Sequence, residues 1–302
     1  MKKKAKKKII CVLFLCGILA LLGSSGCKQE EKPVEENPNQ KGAKITFSNL
    51  ADEESVTLLK ECFRNAEIPQ ERQDVFFQQV EDANRIFGEK NLQEAMEEGN
   101  LLTPKYDPYA LQDLWTEAYQ DFPGYNCRIT AFSLFEQNLK IPEKEIGKDE
   151  ALFLDLGALE EHPEALGGKT DAFRVFYADI PTEMTKDISK QVKIVQNCWK
   201  ERGIAFQNPK NMSLISVFFH SDIDDPSVLQ IGHTGILFPG KDGNLYFLEK
   251  VAFQEPYQLV KLKDRAELNR YLMTKYDVTF NQPTADPFIM ENDQLMEGYG
   301  AL

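Results

Sequence analysis

The chain has 302 residues, with 35 basic and 48 acidic side chains and a net charge of −13. So acidic a molecule repels nucleic acid and anionic lipid, which excludes both as bulk partners. Hydrophobic residues make up 42%, enough to bury one large core or two small ones.

Residues 1–26 read as a signal that is not part of the fold. Lys2, Lys3, Lys4, Lys6, Lys7 and Lys8 form a basic start. The run IICVLFLCGILALL then supplies about 14 apolar residues, short for a membrane span and suited to a signal core. It ends in GSSGC, small residues directly before Cys27. This resembles the lipobox of bacterial lipoproteins, with Ser24 where those signals usually carry leucine. The resemblance implies that Cys27 is diacylated and becomes the new N-terminus. Its two chains would hold the protein on the outer face of the cytoplasmic membrane, at about 0.8 kcal/mol per buried methylene. Cleavage without lipidation is the alternative.

Residues 27–43 are charged, contain proline and carry almost nothing apolar, so they are expected to form a disordered tether. At ~3.3 Å per residue the tether reaches about 50 Å. Loss of the signal removes six lysines and no acids, leaving 29 basic against 48 acidic side chains, a net of −19. Residues 44–302 then form a single domain. Cys11 and Cys16 leave with the signal, and Cys27 is the lipid site. Cys62, Cys127 and Cys198 remain, an odd number, so at least one is a free thiol or pairs outside the chain.

The first third of this domain reads as helical. SNLADEESVTLLKECF opens with Ser and Asp cap candidates and places Val56, Leu59 and Phe63 at helical spacing, with Cys62 packing beside them. PQERQDVFFQQVEDANRIFG begins with proline and ends in glycine, as a second helix would. DPYALQDLWTEAYQ gives a third, which the turn DFPG stops. In GYNCRITAF, Asn126 is the expected N-cap of a fourth helix, with Ile129, Phe132, Phe135 and Leu139 on its buried face. Cys127 then stands in the first turn, where the helix dipole lowers a thiol's pKa.

ALFLDLGAL and DAFRVFYADI read as strands, and TKDISKQVKIVQNCWKERG as a helix with Ile188, Val192, Val195 and Trp199 inward. From residue 213 the period falls to two. SLISVFFHS, VLQIGHTGILF, NLYFLEKVAF and YQLVKL are consecutive antiparallel strands, and DRAELNRYLMTKYD is a final helix. Helices first and a meandering sheet afterwards make an α+β fold.

A thiol nucleophile needs a base, and the chain has three histidines. His162 lies in an acidic, surface-like stretch, and His220 ends a strand. His233 sits among glycines that allow close approach. Pairing Phe238 with Asn244 across the PGKDG turn sets His233 opposite Glu249 on one face of the sheet. A carboxylate beside an imidazole fixes its tautomer and steadies its charged form.

YNCRITAF and GHTGILF…GNLYFLEK together resemble the papain-like cysteine peptidase and amidase superfamily, particularly its NlpC-type cell-wall branch. The resemblance implies a helix headed by the cysteine and packed on an antiparallel sheet, with Cys127 as nucleophile, His233 as general base and Glu249 as its orienter. Asn126, Arg128 and Ile129 stand where the cell-wall enzymes usually carry an acid, serine and glycine, which leaves the substrate open. The oxyanion donors would be the Cys127 N–H and one of Tyr125, Asn126 or Gln120. Arg128 would hold either a substrate carboxylate or a helix-surface ion pair. ITFSNL and GYNCRITAF also resemble an uncharacterised family of bacterial surface lipoproteins, which carries no assigned activity.

Two motifs fail on inspection. LGGKT lacks the first phosphate-loop glycine, because Pro163 stands there. DIDD has Pro226 and His233 where a calcium loop needs oxygen ligands. Histidines this scattered, without Cys-x-x-Cys, give no zinc pattern, so no metal and no cofactor is expected. The expectation is a lipid-anchored, monomeric cysteine hydrolase of peptides or cell wall. The alternative is a silent surface lipoprotein of the same fold that binds a ligand or partner.

Overall fold

The computed structural model describes residues 44–301 apart from 101–103, 143–148, 208, 224 and 279–280. The signal, Cys27 and the tether lie outside the described residues. Strand β1 (Lys44–Ser48) leads into helix α1 (Glu53–Asn65), which Asp52 caps by accepting from the Ser55 N–H at 2.8 Å. Helix α2 (Gln70–Phe87) stops at Gly88, whose φ of 75° ends the helix without a side-chain clash. Strand β2 (Glu97–Asn100) and helix α3 (Pro108–Tyr119) follow, and then α4 (Cys127–Phe135).

Helix α4 differs from the one-faced helix expected. All but one of its nine residues are buried, so it runs through the core rather than along its surface. Leu139 lies beyond its end, in the short strand β3 (Leu139–Lys140).

The two strands expected next are helices. They are α5 (Phe153–Glu161) and α6 (Thr170–Tyr177), followed by the two-residue strand β4 (Ile180–Pro181). Apolar letters nearly alternate in ALFLDLGAL, but the positions that end up buried are Leu152, Asp155, Ala158 and Leu159. That is helical spacing, and short apolar runs do not declare their period. Helix α7 (Ile188–Arg202) buries Val192, Val195 and Trp199 as expected.

Strands β5 (Ala205–Phe206), β6 (Ser213–Ser221), β7 (Val228–Pro239), β8 (Leu245–Lys250) and β9 (Tyr257–Leu262) follow, then α8 (Arg265–Tyr276). Two strands that the sequence did not announce, β10 (Phe288–Glu291) and β11 (Gln294–Leu295), complete the described elements. The main sheet is antiparallel, in the order β11-β10-β6-β7-β8-β9-β1-β2, with β4 on β7. This is an α+β fold. One face of the sheet, with Leu214, Phe218, Ile236, Phe238 and Leu248, packs under α1, α2, α4, α6 and α7. The other, with Val217, Leu237, Phe247 and Val260, is covered by α8.

The β7–β8 register departs by two residues from the one expected. Phe238 pairs with Tyr246, not Asn244. Side chains alternate with a period of two, so a two-residue displacement leaves His233 and Glu249 on the same face. A bulge between Val217 and Phe218 on the β6 side leaves Gly232 as the extra residue of β7, next to His233.

Candidate active site

Strand β7 keeps β6 along one edge throughout, but its other edge is shared. Val228 and Leu229 pair with β4, and pairing with β8 begins only at Ile236. Between them residues 230–235 have no strand partner on that edge among the described residues, so the sheet opens a window there. His233 sits in the window, and the start of α4 meets it: the Arg128 Nη1 donates to the Ile231 carbonyl at 3.3 Å.

Helix α4 begins at Cys127 because Asn126 caps it, Oδ1 accepting from the Ile129 N–H at 3.0 Å. The Cys127 N–H is therefore one of the first-turn donors that no helical carbonyl can satisfy. The thiol and His233 lie close enough for each to shift the other's titration. His233 Nε2 lies 2.5 Å from Glu249 Oε2. Burial would raise Glu249, but Lys275, His233 and the Tyr271 hydroxyl together hold it at about 2. An ionised carboxylate only accepts, so Nε2 carries the proton, and Nδ1 is the ring nitrogen left to exchange one with another group. Gln258 Nε2 donates to Glu249 Oε1 at 3.0 Å, and the Tyr271 hydroxyl donates to the same oxygen. Behind the imidazole, Tyr276 stacks with ring centres 4.8 Å apart.

Charge on sulfur and ring is mutual. Burial acts to raise the Cys127 thiol, but His233, with Arg128 beside it, outweighs burial and lowers it. Burial likewise disfavours charge on His233, yet Cys127 and Glu249 raise it to about 9. Both shifts favour a thiolate paired with an imidazolium, the form in which cysteine attacks carbon. Cys62 goes the other way, pushed up to about 11 by burial and by Glu61 and Asp242. Cys62, Cys127 and Cys198 are all free thiols.

The residues flanking the nucleophile are held by one carboxylate that sequence reasoning missed. Asp155, fully buried in α5, accepts from Asn126 Nδ2 at 2.7 Å and from Arg128 Nε and Nη2 at 2.9 and 2.6 Å. Its signal was a lone acid within the apolar run LFLDLG, since buried acids are almost always paired. Tyr177 of α6 was missed as well. Its buried hydroxyl lies beside the Thr234 side chain and donates to no acceptor among the described residues, and burial plus the neighbouring Cys127 push it well above the usual tyrosine value. Lys250 is buried too, donating to the carbonyls of Ala252, Phe253 and Glu255. Burial brings its ammonium down to about 7.

The remaining sequence candidates have other work. Arg128 spends its donors on Asp155 and the Ile231 carbonyl, and the Asn126 amide nitrogen is committed to Asp155. Arg128 thus forms a buried ion pair rather than one on a helix surface. Tyr125 packs on Phe122 and His162, and Gln120 is exposed at the end of α3 with φ of 56°. His162 pairs with Glu164 at 2.8 Å, and His220 accepts from the Ala285 N–H at 3.0 Å.

A family model for a domain of unknown function, DUF4300, matches residues 46–296. The chain belongs to the DUF4300 family. No curated protein and no solved structure matches it. The DUF4300 match takes in Cys127, His233, Glu249, Asp155 and the strands that position them. The expectation of a family without assigned function is met at that level.

Proposed function

We propose that this DUF4300 domain is a cysteine peptidase or amidase of papain-like design, acting on amide bonds such as those of cell-wall peptides. The lipid on Cys27 would carry it at the outer face of the membrane. The observation behind this reading is a helix-start cysteine electrostatically coupled to His233, whose Nε2 is hydrogen-bonded to Glu249. The Cys127 thiolate attacks the amide carbon, forming a C–S bond and an oxyanion that receives the Cys127 N–H and the Tyr177 hydroxyl. The oxyanion collapses, the C–N bond breaks, and His233 gives its proton to the leaving amine. Water, deprotonated by the now neutral His233, attacks the thioester and releases a carboxylate and the thiolate. Glu249 keeps the ring oriented through both steps.

A second reading, a silent binding protein of the same fold, draws support from burial. Cys127 is only 6% exposed and His233 1%. Full-length protein incubated with cell-wall peptides separates the two, with mass spectrometry following new amine and carboxylate ends. Hydrolysis is expected with the wild type and absent with Cys127→Ala. Tyr177→Phe, which removes one oxyanion donor, is expected to lower kcat about a hundredfold. Cleavage that persists in folded Cys127→Ala would rule out Cys127 as the nucleophile, and none by the wild type would support the silent reading.

A further inference from the structure

Behind Glu249, on the side away from α4, lies a cavity of about 270 Å³. Its floor is apolar, from Ile45 and Phe47 of β1, and its walls carry Lys105, Lys275, Glu255 and Gln258. Neither lysine has a carboxylate within ion-pair range among the described residues. Lys275 instead stands over aromatic rings, 5.9 Å from Tyr271 and 5.5 Å from Tyr276. In a chain of net charge −13, two lysines facing one cavity outside ion-pair range of any described carboxylate are a local concentration of positive charge, and Lys275 also acts on the buried Glu249 behind it. Glu255 supplies the opposite sign, fixed by the Tyr106 hydroxyl at 2.7 Å from Oε2. The Gln258 nitrogen is spent on Glu249 and on the Tyr271 hydroxyl, at 3.0 and 2.9 Å, so only its oxygen remains to receive a donor.

We propose that this cavity binds a free acidic amino acid. Its two carboxylates would meet Lys275 and Lys105, and its ammonium would meet Glu255 and the Gln258 oxygen. Two cations and one anion on the wall match two anions and one cation on the ligand, and the volume suits a molecule well below drug size. Occupancy reaches Glu249 directly, because Gln258 and Tyr271 both line the cavity and both donate to Glu249 Oε1. The site stands whether or not Cys127 performs chemistry, so its failure and that of the hydrolase reading are separable.

Calorimetric titration of the full chain with L- and D-glutamate tests it, with glutamine and glutarate as probes lacking one carboxylate or the ammonium. One enantiomer at least is expected to bind saturably. Glutamine and glutarate should each bind about tenfold more weakly, the loss expected for one charged contact. Lys105→Met, at an exposed position where folding is not at stake, should weaken glutamate by a similar factor. Lys275→Gln should do so as well and should alter the rate of Cys127 alkylation. The proposal is overturned if neither enantiomer binds up to millimolar concentration. Equal binding of all three compounds, or wild-type affinity in both lysine variants, would overturn it too.

Discussion

Asp155→Ala is expected to destabilise the domain by about 3–5 kcal/mol, the usual consequence of stranding one member of a buried ion pair. The carboxylate has no exposure, and its loss leaves the largely buried Arg128 side chain, 18% exposed, with the Ile231 carbonyl as its remaining acceptor among the described residues. It also releases the side chain of Asn126, which caps the helix that Cys127 heads. Against a total stability of about 5–15 kcal/mol, such a loss is visible as a large fall in the urea midpoint. The double variant Asp155→Leu/Arg128→Met should recover much of it, since apolar replacement of a buried pair is often neutral or stabilising. It should not recover thiol reactivity, because the hydrogen bonds that tie the start of α4 to Asp155 and to the strand carrying His233 are then gone. Stability and reactivity returning together would show that the ion pair does no positioning.

Glu249→Gln is expected to flatten the pH dependence of stability. Glu249 is held at about 2 against an ordinary 4.5, so its contribution is complete above 4.5 and lost as pH falls toward 2. His233 is held at about 9 against 6.5, so its contribution is complete below 6.5 and lost as pH rises through 9. Both contributions are therefore complete only between about 4.5 and 6.5, and the part that belongs to the pair itself is shared with Lys275 on the Glu249 side and Cys127 on the His233 side. Urea unfolding at about pH 3, 5.5 and 9 reads it out as the difference between wild type and variant. That difference should peak at the middle value. On the alkaline side the loss should shrink without vanishing in the variant, because Cys127 still holds part of the imidazolium charge.

Much of this site was legible because its parts sit on strongly patterned elements. The cap at Asn126 and the two-residue period of β6 to β9 fixed where Cys127, His233 and Glu249 would stand. Parity protected the Glu249 assignment even though the register moved by two residues. What remained illegible is long-range. Asp155 was hidden because its run was read with the wrong period, which put the acid on a strand instead of facing the start of α4. The window in β7 depends on β4 and β8 pairing at separate ends of one edge, and no local pattern encodes that. Strand β1, inserted beside β9, and the terminal strands β10 and β11 are likewise set by their partners and not by their own residues.

Alkylation of the three free thiols by iodoacetamide, followed by mass spectrometry from about pH 5 to 10, tests the central claim most directly. Cys127 and Cys62 are nearly equally buried, at 6% and 5% exposed, so access does not distinguish them. Charge does: Cys127 is lowered by His233, whereas burial raises Cys62 and Cys198. The expected result is a Cys127 rate already high at about pH 6 and nearly flat above it, while the other two climb about tenfold per pH unit. His233→Ala should give Cys127 that same climb. A wild-type Cys127 that climbs alongside Cys62 across the whole range, indifferent to the loss of His233, would contradict the account.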